Sequence, residues 1–318
     1  MKLSIVVPVY NLERYIARTL DSLLAIRFSY DYEIIVVNDG STDASETVIR
    51  EYQKKTDRIR LFTIENGGVS NARNIGVRQA AGEYITFVDG DDTVEPDFYE
   101  TAVAELDQGG YDFVQGNYRK IYGDHTEDME CVKRDVVLTD RKEMLAQYYC
   151  FNRGYIHAGV WAKVYQAEFV RRIPANRKWN NAEDLEHNFR ILCECDRVKL
   201  LKDICINYYQ REDSAVHTLN VEKERQALAV LDQMLEMNPY RELDWMLHRQ
   251  RLLYLQGRYC CLCRERNPQV GTVRDVILRI PFRQVWPHLT KEERKWVLLH
   301  RFAGPLYDFY IRRTKGTA

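Results

Sequence analysis

The first ninety residues alternate short β-branched apolar runs with stretches of helical periodicity. After the first run, Ile16, Leu20, Leu23 and Leu24 recur at the spacing of one helix face. Parallel strands need crossover connections, usually helices, so this order predicts an α/β domain with a mostly parallel sheet flanked by helices. The predicted strands are Leu3–Val7, Glu33–Val37, Ile59–Ile64 and Tyr84–Val88. The second predicted helix buries Val48, Ile49 and Tyr52, and the third covers Ser70–Ala81.

Polar segments follow two of these strands directly. Asn38-Asp39-Gly40 comes after the second strand and Asp89-Gly90-Asp91-Asp92 after the fourth. Open α/β sheets bind their ligands beyond the carboxyl ends of the strands, at a topological switch point. The sequence therefore predicts a ligand site at that edge of the sheet.

Beyond Glu100 the pattern becomes mixed and then helical. We predict one domain over residues 1–220 and a helical C-terminal region over 221–318, where long proline-free stretches begin. Within the first domain the predicted elements are a strand at Tyr111–Tyr122, an acidic loop at Gly123–Glu130, helices at Trp161–Val170 and Glu183–Leu192, and a strand closing at Asn207–Tyr209.

Charge and cysteine content exclude several classes of protein. The 46 Lys and Arg residues nearly balance the 47 Asp and Glu residues, so no global field favours nucleic acid. The apolar runs are too short to span a bilayer, and the N-terminus lacks the longer apolar region of a secretion signal, which together predict a cytoplasmic protein. The eight cysteines do not form paired CxxC motifs, so core packing is favoured over zinc or disulfides.

The segment from Arg279 to Ala318 is basic and aromatic. It carries nine Lys or Arg residues against three acids, interleaved with tryptophan, tyrosine and phenylalanine. Such segments rest on anionic lipid at the membrane interface, although an amphipathic helix packed on its own catalytic domain has the same composition. We expect peripheral contact with the inner face of the cell membrane through residues 279–318, and a homo-oligomer contact by the helical region stays open.

The acidic cluster after the fourth strand has the composition of a metal site. Two carboxylates one residue apart, Asp89 and Asp91, can present oxygens to one hard cation, which then bridges a diphosphate. A solvated loop is the usual explanation of such a short acidic motif. Its place after a buried strand, at the predicted ligand edge, is what favours a metal.

Five segments occur in a fixed order along the chain and together carry a family resemblance. They are Ser4-Ile-Val-Val-Pro-Val-Tyr-Asn11, Val37-Asn-Asp-Gly-Ser-Thr-Asp43, Asn66-Gly-Gly-Val-Ser-Asn-Ala-Arg-Asn74, Phe87-Val-Asp-Gly-Asp-Asp92 and Asn181-Ala-Glu-Asp-Leu-Glu-His187. This set resembles the family 2 glycosyltransferases, inverting enzymes with the Rossmann-like GT-A fold, and Val160-Trp-Ala-Lys-Val-Tyr165 is similar to their bacterial members. The resemblance covers residues 3–217.

The resemblance implies a nucleotide site built from the first four segments. Pro8 and Tyr10 would lie against the base, and the Asp39 carboxylate would accept the ring N–H of uracil. Arg73 would face the base or the diphosphate, and Asp89 would bind the ribose side or share the metal. For Asp39 the alternative is a helix N-cap, and for Arg73 it is a residue of a helix surface.

The resemblance also implies the metal ligand and the catalytic base. Asp91 would be the main ligand of Mn²⁺ or Mg²⁺, and Asp184 would deprotonate the acceptor hydroxyl on the face opposite the leaving diphosphate. The alternative for Glu183 and Asp184 is a pair of first-turn acids that favour the helix dipole.

A loop after the last predicted strand is a further candidate for the diphosphate. In some members of the family a lid here offers Arg, Ser or His to the donor, and Arg211, Ser214 and His217 stand in the matching stretch. Solvated polar side chains are the alternative.

The function that the resemblance implies is transfer of a hexose or N-acetylhexosamine from a UDP-sugar to a saccharide or polyprenyl-diphosphate-linked acceptor in cell-surface polysaccharide synthesis. The QxxRW motif of processive synthases is absent from the matching region, which favours single additions. A catalytically idle nucleotide-sugar-binding scaffold is the main alternative. A phosphatase of the DxD type is disfavoured because its motif follows the first strand, and a dinucleotide enzyme because no GxGxxG follows the first strand here.

Overall fold

The chain forms two compact units, residues 1–230 and 231–318. The computed structural model describes residues 1–150, 154–210 and 221–313. A helix over Val221–Met237, α8, spans the division, which falls ten residues beyond the boundary predicted at residue 220.

The first unit contains the strands and the helices that cover them. Its strands are β1 Leu3–Val9, β2 Tyr32–Asp39, β3 Ile59–Ile64, β4 Tyr84–Phe87, β5 Thr93–Val94, β6 Phe113–Ile121, β7 Thr126–Met129, β8 Val136–Leu138, β9 Lys163–Gln166 and β10 Val198–Tyr209. Its helices, besides the start of α8, are α1 Ile16–Leu24, α2 Ser45–Gln53, α3 Val69–Gln79, α4 Phe98–Gly109, α5 Arg141–Tyr149, α6 Ala167–Arg172 and α7 Glu183–Glu194.

All ten strands belong to one mixed sheet. Its order is β3-β2-β1-β4-β9-β6-β10-β5, with β7 paired to β6 and β8 paired to β10. The strands β3, β2, β1 and β4 are parallel, as the alternation of strands and helices predicts. From β9 onward most pairs are antiparallel, although β6 and β10 pair in parallel, so the sheet is less uniformly parallel than predicted. The predicted α/β class is confirmed.

The parallel half is buried on both faces, which explains its continuous apolar runs. Every residue of β1, β2 and β4 is buried. On one face, Ile16, Leu20 and Leu23 of α1 pack into the core below the sheet. This burial fixes the register, because a slip by one residue would exchange the two faces of each strand.

Two of the predicted elements are wrong in type. The stretch Trp161–Val170 is not one helix, because β9 inserts antiparallel between β4 and β6 and buries Val164 and Tyr165 completely before α6 begins. The predicted acidic loop contains β7, which forms a hairpin with β6. In both places the pairing of distant or adjacent strands overrides a weak local pattern.

The second unit is helical, which confirms the predicted C-terminal helical region. Besides the end of α8 it contains α9 Asp244–Arg264, α10 Val270–Leu278, α11 Phe282–Val285, α12 Lys291–Phe302 and α13 Gly304–Arg313. Long α9 supplies much of the core, with Leu247, Leu252, Leu255, Tyr259 and Leu262 buried. Across the described ranges, no helix is both long and apolar enough to cross a membrane.

A close approach between α3 and β1 fixes the position of α3 on the sheet. Gly76 lies in α3, and a Cβ built there would come within 2.3 Å of Val6 Cγ1 in β1. Only glycine allows the helix backbone to approach this strand so closely. The position of α3 matters because the same helix carries Arg73.

We expect Gly76→Ala to lower the free energy of unfolding by about 1–3 kcal/mol, the usual cost of overpacking a core. Gly257→Ala in α9 is the matched control, since its new Cβ meets open space. That change should raise stability by up to about 1 kcal/mol through helix propensity. Urea titrations followed by circular dichroism measure both, and shifts of the same sign would contradict the tight contact.

Candidate active site

An open cleft with a volume of about 870 Å³ lies at the carboxyl ends of the parallel strands. Its walls come from the ends of β1, β2 and β4 and from the starts of α3 and α7. The described residues that the sequence predicts for the site all line this cleft: Pro8, Tyr10, Asp39, Arg73, Asp89, Asp91 and Asp184. The candidate diphosphate residues Arg211, Ser214 and His217 lie outside the described residues.

Arg73 is the buried centre of the cleft. Its side chain on α3 is only 4% exposed, and Nη2 donates to Asp89 Oδ1 at 2.9 Å. Nη1 donates to Asp184 Oδ1 and lies 3.5 Å from Glu183 Oε1. Burial alone would lower the pKa of Arg73, but the carboxylates of Asp184, Asp89 and Glu183 outweigh it and raise the pKa. The guanidinium thus joins the acidic segment after β4 to the first turn of α7.

Glu183 is a mostly buried acid beside this arginine. Burial, followed by the neighbouring Asp184 carboxylate, raises its pKa to about 7 against the opposing effect of Arg73. A carboxyl group with such a pKa holds its proton over much of the acidic range. Glu183 is therefore largely uncharged in that range and does not add a full negative charge to the cleft.

Asp92, which the sequence left without a role, ties the acidic segment to β10. It is fully buried, and its Oδ1 accepts a hydrogen bond from the Tyr209 backbone N–H at 2.9 Å. Burial, followed by the charges of Asp91 and Asp89, raises its pKa well above the usual range. Its Oδ2 is buried without a hydrogen-bond partner among the residues that the structure describes. Asp92 is therefore a positioning residue for the loop that presents Asp91.

Helix α1 supplies two further anchors that sequence reasoning missed. Arg18 Nη2 donates to the Asp91 carbonyl at 2.6 Å, and Thr19 Oγ1 donates to the Gly90 carbonyl at 3.0 Å. The Arg18 guanidinium also lies 3.4 Å from the centre of the Tyr209 ring. The sequence contained a cue for the contact of Thr19. It is a polar residue beside the apolar face of α1, and a buried hydroxyl needs a hydrogen-bond partner.

Asp39 holds the turn that precedes α3. Its Oδ1 accepts from the Gly67 N–H at 2.8 Å and its Oδ2 from the Gly68 N–H at 2.9 Å. Gly68 has φ of +84°, a conformation that glycine adopts at little cost. The alternative of a helix N-cap does not apply, since the N-cap of α2 is Ala44. Asp39 also lines the cleft, and each carboxylate oxygen can accept a second hydrogen bond, so base recognition by Asp39 stays a prediction.

The carboxylates fit a cation that completes its coordination from a ligand. Among the described residues, no group of three or more His, Cys, Asp or Glu side chains is placed to hold a metal ion. Asp89 already accepts from Arg73, while Asp91 also lines the cleft. Burial is the main cause of the raised pKa values of Glu183 and Asp92, and neighbouring carboxylates raise them further; a cation would relieve this second contribution. Mg²⁺ is commonly bound by one or two carboxylates together with substrate phosphates.

The fold is an α/β fold of the GT-A type. The crystal structure of Staphylococcus aureus TarS 1–349 in complex with UDP-GlcNAc matches with a TM-score of 0.75, covering 98% of this chain and 90% of that chain at 21% identity. Residues 4–178 match the family model described as glycosyl transferase family 2. The chain belongs to this family, and the predicted fold and the predicted class of enzyme, a glycosyltransferase, are confirmed.

Curated relatives place the chain among bacterial members of the family. The uncharacterised glycosyltransferase EpsJ of Bacillus subtilis is 36% identical over 216 residues, which are 66% of this chain and 62% of EpsJ. The poly(ribitol-phosphate) β-N-acetylglucosaminyltransferase TarS of S. aureus is 26% identical over 217 residues, which are 67% of this chain and 36% of TarS. The chain thus spans less than two thirds of the length of these relatives.

The charge at Glu183 predicts a pH dependence of stability. Its pKa is about 7 in the folded chain against 4.5 in the unfolded chain, so the folded chain binds more protons between these values. This contribution to stability is complete below pH 4.5 and is lost as the pH rises through 7. Glu183→Gln removes the effect, so the stability of the variant relative to the wild type should increase from pH 5 to pH 8.

Urea midpoints of the wild type and Glu183→Gln at pH 5, 6, 7 and 8 measure this difference. Buried histidines titrate equally in both proteins and cancel. Glu51→Gln, an exposed acid in a surface ion pair on α2, is the control and should show a small difference without this trend. A flat difference for Glu183→Gln would contradict the raised pKa.

Proposed function

We propose that this glycosyltransferase is an inverting, metal-dependent enzyme that uses a UDP-sugar. It would transfer a hexose or N-acetylhexosamine to a saccharide or lipid-linked acceptor during cell-surface polysaccharide synthesis. The observation that carries the proposal is the meeting of Asp39, Asp91 and Asp184 in one cleft. These three acids come from the ends of two parallel strands and from a helix almost a hundred residues further along the chain.

In this reaction Asp184 is the general base. The acceptor hydroxyl attacks the anomeric carbon, its proton passes to the Asp184 carboxylate, and the bond from that carbon to the diphosphate oxygen breaks. The Arg73 guanidinium fixes one oxygen of Asp184, which orients the other toward the cleft. A base contributes by geometry first, and a partner that fixes its orientation improves that geometry.

The nucleotide end of the cleft would hold the donor. Tyr10 is half exposed at the end of β1, where its ring is accessible to a base, and Asp39 lies beside it with lone pairs for the uracil N–H. Asp91, with Asp89, would hold Mn²⁺ or Mg²⁺, and such a cation supplies positive charge to a leaving diphosphate. The structure of TarS with UDP-GlcNAc supports a UDP-sugar as the donor class.

The relatives support the choice of acceptor class. TarS acts on poly(ribitol-phosphate), as its name states, and the chain is similar to TarS in both sequence and fold. A cell-surface polymer or its lipid-linked precursor is the acceptor that this likeness favours. Membership in glycosyl transferase family 2 removes the DxD phosphatase from consideration. An idle nucleotide-sugar binder remains as one outcome of the following test.

We expect Asp184→Asn to lower kcat for sugar transfer by about 10²- to 10⁴-fold, the usual contribution of a general base, while UDP affinity stays within a few-fold. Asp91→Ala should instead weaken UDP binding, and only in the presence of Mn²⁺. UDP release from a panel of UDP-sugars, with and without Mn²⁺, measures turnover, and calorimetry measures UDP binding.

Asp97→Asn is the matched control, because Asp97 is an exposed acid paired with Arg27 and does not line the cleft. Normal transfer by Asp184→Asn would refute its assignment as the base. A wild-type chain that binds UDP yet turns over no donor with any acceptor would identify a binding scaffold instead of an enzyme.

The last helices present a surface suited to anionic lipid. Phe302 and Leu306 are 77% and 73% exposed, and Phe309 and Tyr310 are more than half exposed. Basic side chains of α12 and α13, among them Arg301, accompany this apolar face. Exposed aromatic and aliphatic side chains flanked by arginine and lysine bind the interface of an anionic membrane. We therefore place peripheral attachment, at the inner face of the cell membrane, on α12 and α13.

We expect Phe302→Ser with Leu306→Ser to reduce binding to vesicles that contain phosphatidylglycerol by at least tenfold, since both side chains lose their burial in lipid. Cosedimentation measures binding, and binding should also fall with salt. Tyr30→Ser removes an exposed aromatic side chain of the first unit and should change nothing. Unchanged vesicle binding by the double variant would refute the surface, and a concentration-dependent dimer lost in the variant would point to a second copy.

A further inference from the structure

Two aromatic side chains line the cleft without a part in the proposed roles. Trp161 precedes β9 and Tyr208 lies near the end of β10, and both line the same cleft as Asp184 and Asp91. Their rings are stacked, with centroids 5.5 Å apart and planes inclined by 25°. The pair comes from two elements that are far apart in sequence, and it forms an apolar wall beside the carboxylates.

Trp161 is held in place by aromatic neighbours. The His157 ring stacks on it at 4.8 Å between centroids with planes inclined by 21°, and the Tyr118 ring meets it edge-on at 4.9 Å. His157 and Tyr118 are buried, so the tryptophan packs against the protein core. The indole packs closely on Gly159, where a Cβ would come within 2.4 Å of Trp161 Cε2.

A buried lysine holds the loop that carries this tryptophan. Lys163 is fully buried, and its Nζ donates to the backbone carbonyls of His157 and Gly159. The residue after Trp161, Ala162, has φ of +54°, which is uncommon for a residue other than glycine. The Ala162 carbonyl accepts from the Gly116 N–H at 2.9 Å, which fixes this backbone to β6. Strained backbone persists where the surroundings determine it, and such places cluster at ligand sites.

We propose that Trp161 and Tyr208 form a binding wall for a pyranose ring beside Asp184. The face of an aromatic ring is partly negative, and the C–H bonds on the apolar face of a pyranose are partly positive, so the two attract. Ligand pockets combine such apolar walls with a few polar groups that fix orientation. Because His157 and Tyr208 both stack on the indole, the sugar would pack against the outer face of the Tyr208 ring and the edge of Trp161, while the carboxylates would bind its hydroxyls.

The proposal rests on the proposed function, because it names the subsite in which that function places a sugar. The ring is that of the donor or that of the acceptor, and both present the same C–H face to the wall. Binding measurements separate the two sources without needing turnover. The donor arm compares UDP with UDP-N-acetylglucosamine and UDP-glucose, and the acceptor arm uses p-nitrophenyl glycosides in the presence of UDP and Mn²⁺.

The test variant is Trp161→Leu, with Trp161→Phe and Tyr208→Leu as milder changes. Loss of one stacking face should weaken binding of the sugar about tenfold, while affinity for UDP alone stays within twofold. Trp161→Phe keeps an aromatic ring and should therefore lose less affinity for the sugar. The matched control is Trp245→Leu, because Trp245 is also partly buried and stacks on a histidine, His288, in the second unit.

Each result has one meaning for the subsite. Loss of the extra affinity of UDP-sugar over UDP assigns the wall to the donor, and weaker glycoside binding assigns it to the acceptor. Three results overturn the proposal. They are unchanged binding in both arms, an equal loss of affinity for UDP itself, and a wild type that binds neither the sugar of the donor nor the glycosides. Should Trp161→Leu fail to fold, Trp161→Phe and Tyr208→Leu decide by the same criteria. A wild type that does not bind UDP at all refutes the proposed function instead.

Discussion

The interaction on which the site depends is the buried guanidinium of Arg73 among Asp89, Asp184 and Glu183. These carboxylates belong to the segment after β4 and to the first turn of α7, which lie about a hundred residues apart in the sequence. Like charges in a poorly solvated cleft repel strongly, so the two elements would separate without the arginine. Removing one partner of such a buried network is costly because the remaining charges stay uncompensated. The tight packing of α3 on β1 at Gly76 is what brings Arg73 to this position.

The network is not neutral, and its imbalance has a functional meaning. Arg73 carries one positive charge among three acidic neighbours. Neighbouring carboxylates add to the main effect of burial in raising the pKa values of Glu183 and Asp92. A diphosphate would add more negative charge to the same cleft. In the proposed function, a divalent cation near Asp91 would supply the positive charge that such a ligand needs. The proposal therefore couples binding of the nucleotide to binding of the metal.

The sequence predicts the parallel half well because each of its signals is local. The apolar runs of β1, β2 and β4 are continuous and buried, and amphipathic helices separate the strands, so their type and order follow from local patterns. The short strand β9 cannot be predicted from local patterns, since Lys163–Gln166 becomes a strand only by pairing with β4 and β6. Conversely, the resemblance identified Asp184 as a site residue, yet nothing in its neighbourhood indicates the contact with Arg73 more than a hundred residues away. Contacts of that kind are set by the packing of whole elements.

Several motif residues carry structural contacts as well as proposed chemistry, and this limits what a loss of activity can mean. Asp39 holds the Gly67–Gly68 turn, so its replacement would disturb α3 and Arg73 together with any contact to a base. Asp184 differs, because if it acts as the proposed base, Arg73 would still have Asp89 and Glu183 as partners after Asp184 takes a proton. The arginine would then not be left as an unpaired buried charge during the proposed transfer. A shared guanidinium would therefore let one carboxylate change its charge while the rest of the network keeps the cleft in place.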